Sequence, residues 1–435
     1  MYGEKIQKLL NAKGLKIGDF VELETQRNKY KGIIMPRIET GDKDTLVIKL
    51  SNGYNIGIEH ESIKEIKKIE EKTNEKIERK TEKENKRDQK KKANPEDEIV
   101  ILGCGGTIAS KIEYKTGAVH PAITTEELIQ SFPQLKEKNI RTRMLFSLLS
   151  ENITPEHWIQ IAKAIEEEIK KGCKGIVLMH GTDTMSYTAA ALSYMIKTPI
   201  PIVLVGAQRS SDRGSSDNMM NLFSAITAAE SDIAEVAVCM HADENDEFCY
   251  LHRGTKVRKM HTSRRDAFKS INASPIAKIY SNDERIEILS QYSRRGERKF
   301  EINTKLNSNV AMIYVYPGIK KEIVEKIIET HDGIVLIGTG LGHVPSYLID
   351  VIQKYSGKKP IVISSQTIYG RLNLNVYETG RNMIKAGVIG NLADWTPEAA
   401  FVKLMFALGQ TNDIEKIKEI MNSNITGEIT KRIEE

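Results

Sequence analysis

Residues 98–110 have the sequence EIVILGCGGTIAS, a short apolar run that leads into two glycines and a threonine. Residues 174–185, KGIVLMHGTDTM, repeat the arrangement, with Thr182 and Asp183 after the apolar run. Short apolar runs that alternate with helical segments predict buried parallel strands and an α/β fold. The carboxyl ends of parallel strands share one sheet edge, where open α/β sheets bind ligands. The two polar turns are therefore predicted to meet in one crevice, which favours an active site over two separate helix caps.

The first of these turns does not match a nucleotide-binding loop. Ile108 stands where the third glycine of a GxGxxG pattern belongs, and the turn lacks the lysine of a P-loop. Paired glycines at a strand end instead allow close backbone approach and leave N–H groups free beside a hydroxyl. Thr107 is therefore a candidate nucleophile.

Two later segments are polar. The loop at 207–218 is explained by serine and aspartate turns and by the cap of a helix that begins near Asp217. The basic run Arg253–Thr262 is typical of a solvated surface. However, a threonine nucleophile needs an activating group, and one desolvated lysine of this run could turn inward and supply it.

The composition excludes several classes of protein. The 435 residues include 64 Lys and Arg against 59 Asp and Glu, a formal charge of +5, and 40% are apolar. No run approaches the roughly 18 apolar residues of a membrane helix, and a signal peptide is not evident, so we expect a soluble, cytoplasmic protein that does not bind membranes. Four cysteines without a CxxC pair exclude a disulfide scaffold and give no metal motif.

The charge is concentrated in one segment. Residues 65–93 contain twelve Lys and Arg and eight Asp and Glu, so 65–96 is predicted to be a solvated linker, or else a tail that contacts an acidic partner such as RNA. Before it, 1–64 are predicted to form a small five-stranded, SH3-like barrel, which serves either as a structural cap or as an adaptor. After it, we place a larger α/β domain at 97–290 and a smaller one at 291–435.

Four motifs resemble a known family. GGTIAS at 105–110, HGTDTM at 180–185, VGAQR at 205–209 and Lys259 in KMHTS resemble the type I/II L-asparaginases, over about residues 97–432. The barrel, the charged linker and the AQRSSDRGSSD loop extend the resemblance to the whole chain, toward the D subunits of archaeal-type glutamyl-tRNA(Gln) amidotransferases. This resemblance implies an asparaginase-like two-domain, parallel-sheet α/β fold after the barrel.

The resemblance also implies a role for each matched residue. Thr107 would attack the side-chain amide of L-glutamine, and Thr182, Asp183 and Lys259 would activate that attack. In addition, Asp183 would hold the α-amino group of the substrate.

Two further residues would contact the substrate. Ser150, in LLSENIT, would bind its α-carboxylate, and Tyr114 would close over it on a mobile lid. Where asparaginases have an asparagine in a GxGNGN loop, this chain has His343 at or beside that position. Asn375 and Glu378 are only candidates for the carboxylate that asparaginases present across their dimer.

Finally, the resemblance implies an assembly. The chain would hydrolyse glutamine and pass ammonia to a partner, the E subunit (GatE), which would convert Glu-tRNA(Gln) to Gln-tRNA(Gln) with ATP and Mg²⁺. No cofactor is expected in this chain, which carries no ATP motif, and a homodimer core of a heterotetramer is implied. The alternatives are a free-standing L-asparaginase or glutaminase and, without enzyme activity, an RNA-binding adaptor.

Overall fold

The computed structural model describes residues 2–25, 28–35, 43–50, 55–69, 97–106, 111–112, 119–120, 133–209, 216–281 and 283–432. The sequence TTEE at Thr124–Glu127 has a capping-box pattern that predicts a helix start, and this segment and most of the predicted linker lie outside the described residues. Within them, no helix combines the length and the apolar character that crossing a membrane requires.

The N-terminal part of the chain is one antiparallel sheet with a helix packed on it. Its elements are α1 (Glu4–Ala12), β1 (Phe20–Thr25), β2 (Lys29–Ile34), β3 (Thr45–Leu50), β4 (Asn55–Glu59) and β5 (Ile63–Lys68), and the strand order is β4-β3-β2-β1-β5. Alternate strand residues such as Val21, Leu23, Leu46 and Ile48 are buried together. The predicted small β domain is confirmed. The edge strands β4 and β5 share no ladder in the described part of this domain.

Helix α1 is an element that the strand pattern did not predict. It buries Ile6 and Leu10 against the same core that the strands form. Strand β5 continues to Lys68, so it includes the first four residues of the segment whose charge predicts a linker. One isoleucine explains this, because Ile66 pairs with Leu23 and is buried while the charged residues around it face solvent.

The second part of the chain is built on an eight-stranded mixed sheet. Its strands are β6 (Ile99–Gly103), β9 (Ile140–Met144), β10 (Gly175–Met179), β12 (Ile202–Val205), β13 (Val236–His241), β14 (Phe248–Arg253), β17 (Ala277–Tyr280) and β18 (Ile286–Ile288). Strands β9, β6, β10, β12 and β13 are parallel in that order, and β14, β17 and β18 extend the sheet, each antiparallel to the strand before it. The predicted α/β fold is confirmed.

Helices cover both faces of this sheet. They are α2 (Pro155–Lys170), α3 (Met185–Met195) and α4 (Asn218–Glu230). Along β6, Val100 and Leu102 join the core that contains α2 and α3, whereas Ile99 and Ile101 join the core that contains α4. A strand that is buried on both faces needs an uninterrupted apolar run, which is the pattern at residues 99–102.

Short strands complete the second part of the chain. They are β7 (Lys111–Ile112), β8 (Val119–His120), β11 (Ile196–Lys197), β15 (Val257–Lys259), β16 (Phe268–Ser270) and β19 (Glu301–Ile302). The pairs are β7 with β8, β11 with β19, and β15 with β16. The β15–β16 hairpin is the one that matters for the site described below.

The third part of the chain is a smaller parallel α/β unit. It contains β20 (Val310–Tyr314), β21 (Gly333–Gly338), β22 (Ile361–Ser365), α5 (Lys321–Thr330), α6 (Ile349–Ser356), α7 (Glu378–Lys385), α8 (Pro397–Gln410) and α9 (Ile414–Asn422). Helix α8 packs on α3, where the rings of Tyr187 and Phe401 meet edge to face at 6.2 Å. A fully buried ion pair also joins the two units, with 3.0 Å between Lys256 Nζ and Asp394 Oδ2.

The order of the parallel strands fixes where a ligand can bind. From β6 the chain goes to β9 on one side, whereas from β10 it goes to β12 on the other side. The two connections therefore leave in opposite directions, which opens a crevice at the carboxyl ends of β6 and β10. The two threonine-bearing turns follow these two strands.

Candidate active site

Three of the predicted site residues form one hydrogen-bonded group. Lys259 donates from Nζ to Thr182 Oγ1 at 2.8 Å and to Asp183 Oδ1 at 2.7 Å. The lysine side chain is 13% exposed, whereas that of Asp183 is 67% exposed. The group therefore has a sheltered amine beside a hydroxyl and a carboxylate that is open to a ligand. Lys259 pairs with Phe268 in the β15–β16 hairpin, and this pairing fixes the position of the lysine backbone.

The turn that carries Thr182 is shaped by the buried His180. The imidazole Nδ1 donates to the carbonyl of Gly181 at 2.6 Å, and Nε2 accepts from Thr188 Oγ1 at 2.9 Å in the tautomer that these two bonds require. Burial lowers the pKa of His180 to about 4, so the ring is neutral at physiological pH. The histidine ties the end of β10 to the first turns of α3 and leaves Thr182 and Asp183 between them.

Close backbone contacts bring the end of β6 to this turn. Gly106 has a φ of +87°, and a Cβ there would lie 2.7 Å from the nitrogen of Gly181, so only glycine fits. Thr107 follows Gly106 directly, but Thr107 and Tyr114 lie outside the described residues. The paired glycines thus have the close-approach role that the sequence indicated.

Ser150 lies on the other side of the same turn. It is 3% exposed, and its carbonyl accepts a hydrogen bond from Thr184 Oγ1 at 2.7 Å. A Cβ on Gly181 would lie 2.8 Å from Ser150 Cβ and 2.9 Å from its Oγ. Ser150, the residue predicted to bind the α-carboxylate of the substrate, is therefore packed directly against the turn that carries Thr182.

The loop after β12 is organised by Asp217 in a way that the sequence did not indicate. This buried carboxylate accepts from the backbone nitrogens of Gln208 and Arg209, both at 3.0 Å, and from Asn221 Nδ2 at 2.9 Å. Asp217 precedes α4, but its side chain makes no capping bond to that helix. The helix predicted to begin near Asp217 begins at Asn218 with Asp217 as its N-cap residue, but the carboxylate bonds the loop amides at the strand end and not the amides of the helix.

The basic run has two inward lysines rather than one. Lys256 is fully buried in its pair with Asp394, and Lys259 reaches Thr182 three residues later. Between them in sequence, Arg258 places its Nε 3.4 Å from Glu398 Oε1. The run is therefore buried in large part at the junction of the two α/β units.

Glu398 is a residue of this region that the sequence analysis missed. It lies in the first turn of α8, is 7% exposed, and burial raises its pKa. Together with Asp183, Arg258 and Lys259 it lines a pocket of about 390 Å³. A single glutamate at a helix start gives no signal in sequence, since helix starts commonly carry acidic residues.

The remaining candidates lie on the smaller α/β unit. His343 is half-buried and its ring meets that of Tyr377 edge to face at 5.2 Å. Asn375 and Glu378 are exposed, and Asn375 Nδ2 donates to Asn373 Oδ1 at 3.2 Å. None of the three contacts Lys259 or Thr182 through a described hydrogen bond or ion pair.

Three family models match successive parts of the chain. They are the GatD N-terminal domain at residues 15–69, the N-terminal domain of asparaginase at 98–294, and the glutaminase/asparaginase C-terminal domain at 309–421. Together they cover the N-terminal sheet and both α/β units.

Full-length relatives match all three parts at once. The chain is 49% identical to the glutamyl-tRNA(Gln) amidotransferase D subunit of Pyrococcus furiosus over 438 residues, with 98% of each chain covered. It is 46% identical to that of Methanobrevibacter smithii, covering 99% of this chain and 98% of the relative.

Solved structures match the two α/β units. The thermostable L-asparaginase from Thermococcus kodakarensis is 36% identical with a TM-score of 0.70, and the match covers 77% of this chain and 99% of that chain. L-asparaginase I from Vibrio cholerae is 29% identical with a TM-score of 0.66 and the same coverages.

Proposed function

The chain belongs to the family of glutamyl-tRNA(Gln) amidotransferase D subunits, and on this premise we propose that it hydrolyses L-glutamine through Thr107, assisted by Thr182, Asp183 and Lys259. Membership makes it a glutaminase-type subunit of the tRNA-dependent amidotransferase. The observation that supports the residue assignment is the Lys259 amine, which bonds Thr182 and Asp183 at the strand end that adjoins Gly106.

The chemistry follows from this arrangement. A threonine hydroxyl attacks the side-chain amide carbon once its proton passes to a nearby base, and in this proposal the base is the Lys259 amine, which is hydrogen-bonded to Thr182 Oγ1. Backbone N–H groups at the glycine turns stabilise the oxyanion that forms. As the tetrahedral intermediate collapses, the protonated base returns its proton to the amide nitrogen, which leaves as ammonia, and water then hydrolyses the acyl-enzyme to free the glutamate.

Substrate binding uses the charges that the crevice presents. The exposed carboxylate of Asp183 pairs with the α-ammonium group of glutamine, and Ser150 donates to its α-carboxylate. Tyr114 closes over the bound substrate in this proposal. These contacts hold the amide carbon beside the nucleophile. Positioning of the two reacting groups in this way contributes much of the rate acceleration.

The remaining steps belong to a partner. We propose that ammonia passes to the E subunit (GatE), which activates Glu-tRNA(Gln) with ATP and Mg²⁺ and aminates it to Gln-tRNA(Gln). A homodimer of this chain forms the core of a heterotetramer in the cytoplasm. The names of the curated relatives, which are D subunits, support a complex of several chains.

One observation favours this function over a free-standing L-asparaginase. The solved asparaginases cover 77% of the chain, and residues 15–69 match the GatD N-terminal domain. A separate N-terminal domain has no role in hydrolysing a free amino acid, whereas it suits a subunit that works in a complex. A purely RNA-binding adaptor would not need the sheltered amine beside Thr182.

The test compares two nitrogen sources in the complex of this chain with GatE. For Thr107→Val we expect Gln-tRNA(Gln) formation from glutamine to be lost and formation from ammonium chloride to persist. Thr330→Val, which alters a hydroxyl at the end of α5, is the control and should leave both unchanged. Loss of both activities in Thr107→Val would mean that the threonine is structural, and brisk glutamine or asparagine hydrolysis by the isolated chain would favour the free-standing enzyme.

A further inference from the structure

A second pocket adjoins strand β16 of the hairpin that carries Lys259. It has a volume of about 480 Å³ and is lined by both α/β units, with Tyr250, His252, Lys269, Asn272 and Pro275 from the larger one and Tyr369 from the smaller one. We call it the Tyr250–Tyr369 pocket. Its volume falls within the range of roughly 300–1,000 Å³ that is usual for small-molecule sites.

His252 gives this pocket an unsatisfied polar group. The side chain is 1% exposed, its Nδ1 lies 2.8 Å from Ser270 Oγ, and its Nε2 is buried without a hydrogen-bond partner in the described part of the chain. Burial, with the nearby charge of Lys269, lowers the pKa of His252 to about 3, so the ring is neutral. A buried polar atom of this kind costs free energy unless an occupant bonds it.

The walls of the pocket are aromatic and fixed in place. The Tyr250 and His252 rings meet edge to face at 5.8 Å. Opposite them, Tyr369 precedes Gly370, which is tied to Asn272 by a bond from the Gly370 nitrogen to Asn272 Oδ1 at 2.8 Å and by a bond from Asn272 Nδ2 to the Gly370 carbonyl at 3.2 Å. Tyr369 is nevertheless 57% exposed, so its ring has a free face.

The rim carries one cation. Lys269 Nζ donates to Asp266 Oδ2 at 3.0 Å and to the carbonyl of Ala242 at 3.2 Å, which leaves one of its three N–H groups for a ligand. An occupant that suits these features is flat and uncharged inside the pocket, hydrogen-bonds to one ring nitrogen, and carries an anionic group at the rim. A nucleotide combines these properties, since bases stack on tyrosine and histidine rings and phosphates accept from lysine.

We propose that the Tyr250–Tyr369 pocket binds an unpaired nucleotide, and that this nucleotide belongs to the tRNA that the complex aminates. The tRNA source rests on the proposed function, whereas the nucleotide chemistry rests on the pocket alone. The pocket is also connected to the reacting groups, because Ser270 pairs with Val257 in the same hairpin that holds Lys259. A bound nucleotide would therefore contact the hairpin that positions the amine.

The first experiment measures kinetics in the complex with GatE. For Tyr369→Ala we expect the KM for Glu-tRNA(Gln) to rise roughly fivefold or more, as loss of one stacked ring implies, with the KM for glutamine unchanged. Tyr314→Ala is the matched control, because Tyr314 is a 60% exposed tyrosine on β20 outside the pocket. His252→Phe, which keeps a ring and removes the nitrogen, is the second variant and should raise the same KM.

The second experiment identifies the source of the nucleotide. A photoreactive benzoylphenylalanine at position 369 should cross-link to tRNA, whereas the same residue at position 314 should not. Titration of the full chain with AMP provides the other arm. Binding of AMP that Tyr369→Ala weakens, with no change in the KM for tRNA, would support the nucleotide chemistry and assign the pocket to a free nucleotide.

Other outcomes would overturn the proposal. A cross-link from position 369 to GatE alone would assign the pocket to a side chain of the partner. Unchanged KM for tRNA in both variants, together with no binding of AMP, would show that no nucleotide binds. Failure of the proposed function is distinguishable, since it would abolish glutamine-dependent amination in the wild-type complex while the AMP titration still reports on the pocket.

Discussion

The Nζ of Lys259 lies 2.8 Å from the Oγ1 of Thr182, a residue 77 positions earlier in the chain. Lys259→Met keeps most of the side-chain length and removes the amine. We expect the kcat for glutamine hydrolysis to fall by roughly 100-fold or more, the usual contribution of a positioned general base, with little change in melting temperature. Lys278→Met is the control, because that lysine pairs with Glu287 on β17 and β18. Retention of more than a tenth of the wild-type kcat in Lys259→Met would exclude the amine as the base.

Gly181 offers a steric test of the crevice. In Gly181→Ala the new Cβ would lie 2.8 Å from Ser150 Cβ, closer than real Cβ contacts, so the turn or Ser150 must move. We expect the KM for glutamine to rise about tenfold, because a small displacement of positioning groups is costly. Gly357→Ala, where a Cβ would meet nothing within 4 Å, should behave as wild type. If the two variants had the same KM for glutamine, glutamine would not bind against the Gly181 turn.

The buried pair between Lys256 and Asp394 predicts a large effect on stability. Lys256→Met leaves the buried Asp394 carboxylate with the more distant Arg371, whose Nη2 lies 3.9 Å from Oδ2, and we expect the free energy of unfolding to fall by about 3–5 kcal/mol in urea titrations. Lys354→Met removes an exposed lysine that pairs with Glu325 at 2.7 Å and should change the free energy of unfolding far less, because water screens exposed pairs. Similar losses in both variants would mean that burial of the first pair is unimportant.

Glu168 predicts how stability depends on pH. Burial acts to raise its pKa, but hydrogen bonds from Arg141, Arg143 and Lys171 outweigh burial and hold the pKa at about 2. A carboxyl with a lowered folded pKa stabilises above its unfolded value of 4.5, and this contribution is lost as pH falls from about 5 to 2.

Replacement of this glutamate should remove that dependence. Glu168→Gln should be less stable at pH 7 by on the order of 2–3 kcal/mol and should lose less stability than wild type between pH 5 and pH 2. Glu166→Gln, which removes a surface pair with Lys170, serves as the control in the same unfolding titrations. Parallel pH profiles for Glu168→Gln and wild type would contradict the assignment.

The sequence predicted the parts of the site that depend on local pattern. Thr182 and Asp183 follow a buried strand whose apolar run is visible, and a lysine of the basic run was expected to turn inward. The family motif identified Lys259 as the lysine of the site. Burial alone would not have identified it, because Lys256, three residues earlier, is more deeply buried. Lys256 meets Asp394 of the smaller unit, 138 residues later in the chain, and the sequence around the basic run gives no signal of that contact.

Other features depend on contacts between distant segments and left no local signal. Glu398 and Asn272 act across the junction of the two α/β units, where each partner lies more than 90 residues away in sequence. The bonds from the Asp217 carboxylate to the loop amides left no signal, because helix starts and buried loop anchors use the same residue type. Helix α1 was missed because its two buried residues, Ile6 and Leu10, are too few to stand out before a strand-rich segment.

The long separation between Thr182 and Lys259 also bears on how the protein is made. On a ribosome, a nascent chain displays both threonine turns well before the hairpin of β15 and β16 is synthesised. If Lys259 is the base, such a chain holds its hydroxyls without an amine to activate them and leaves the cellular glutamine pool untouched. Glutamine hydrolysis then starts only after the hairpin has docked, so the activity itself reports that translation has passed this point and that the larger unit has folded.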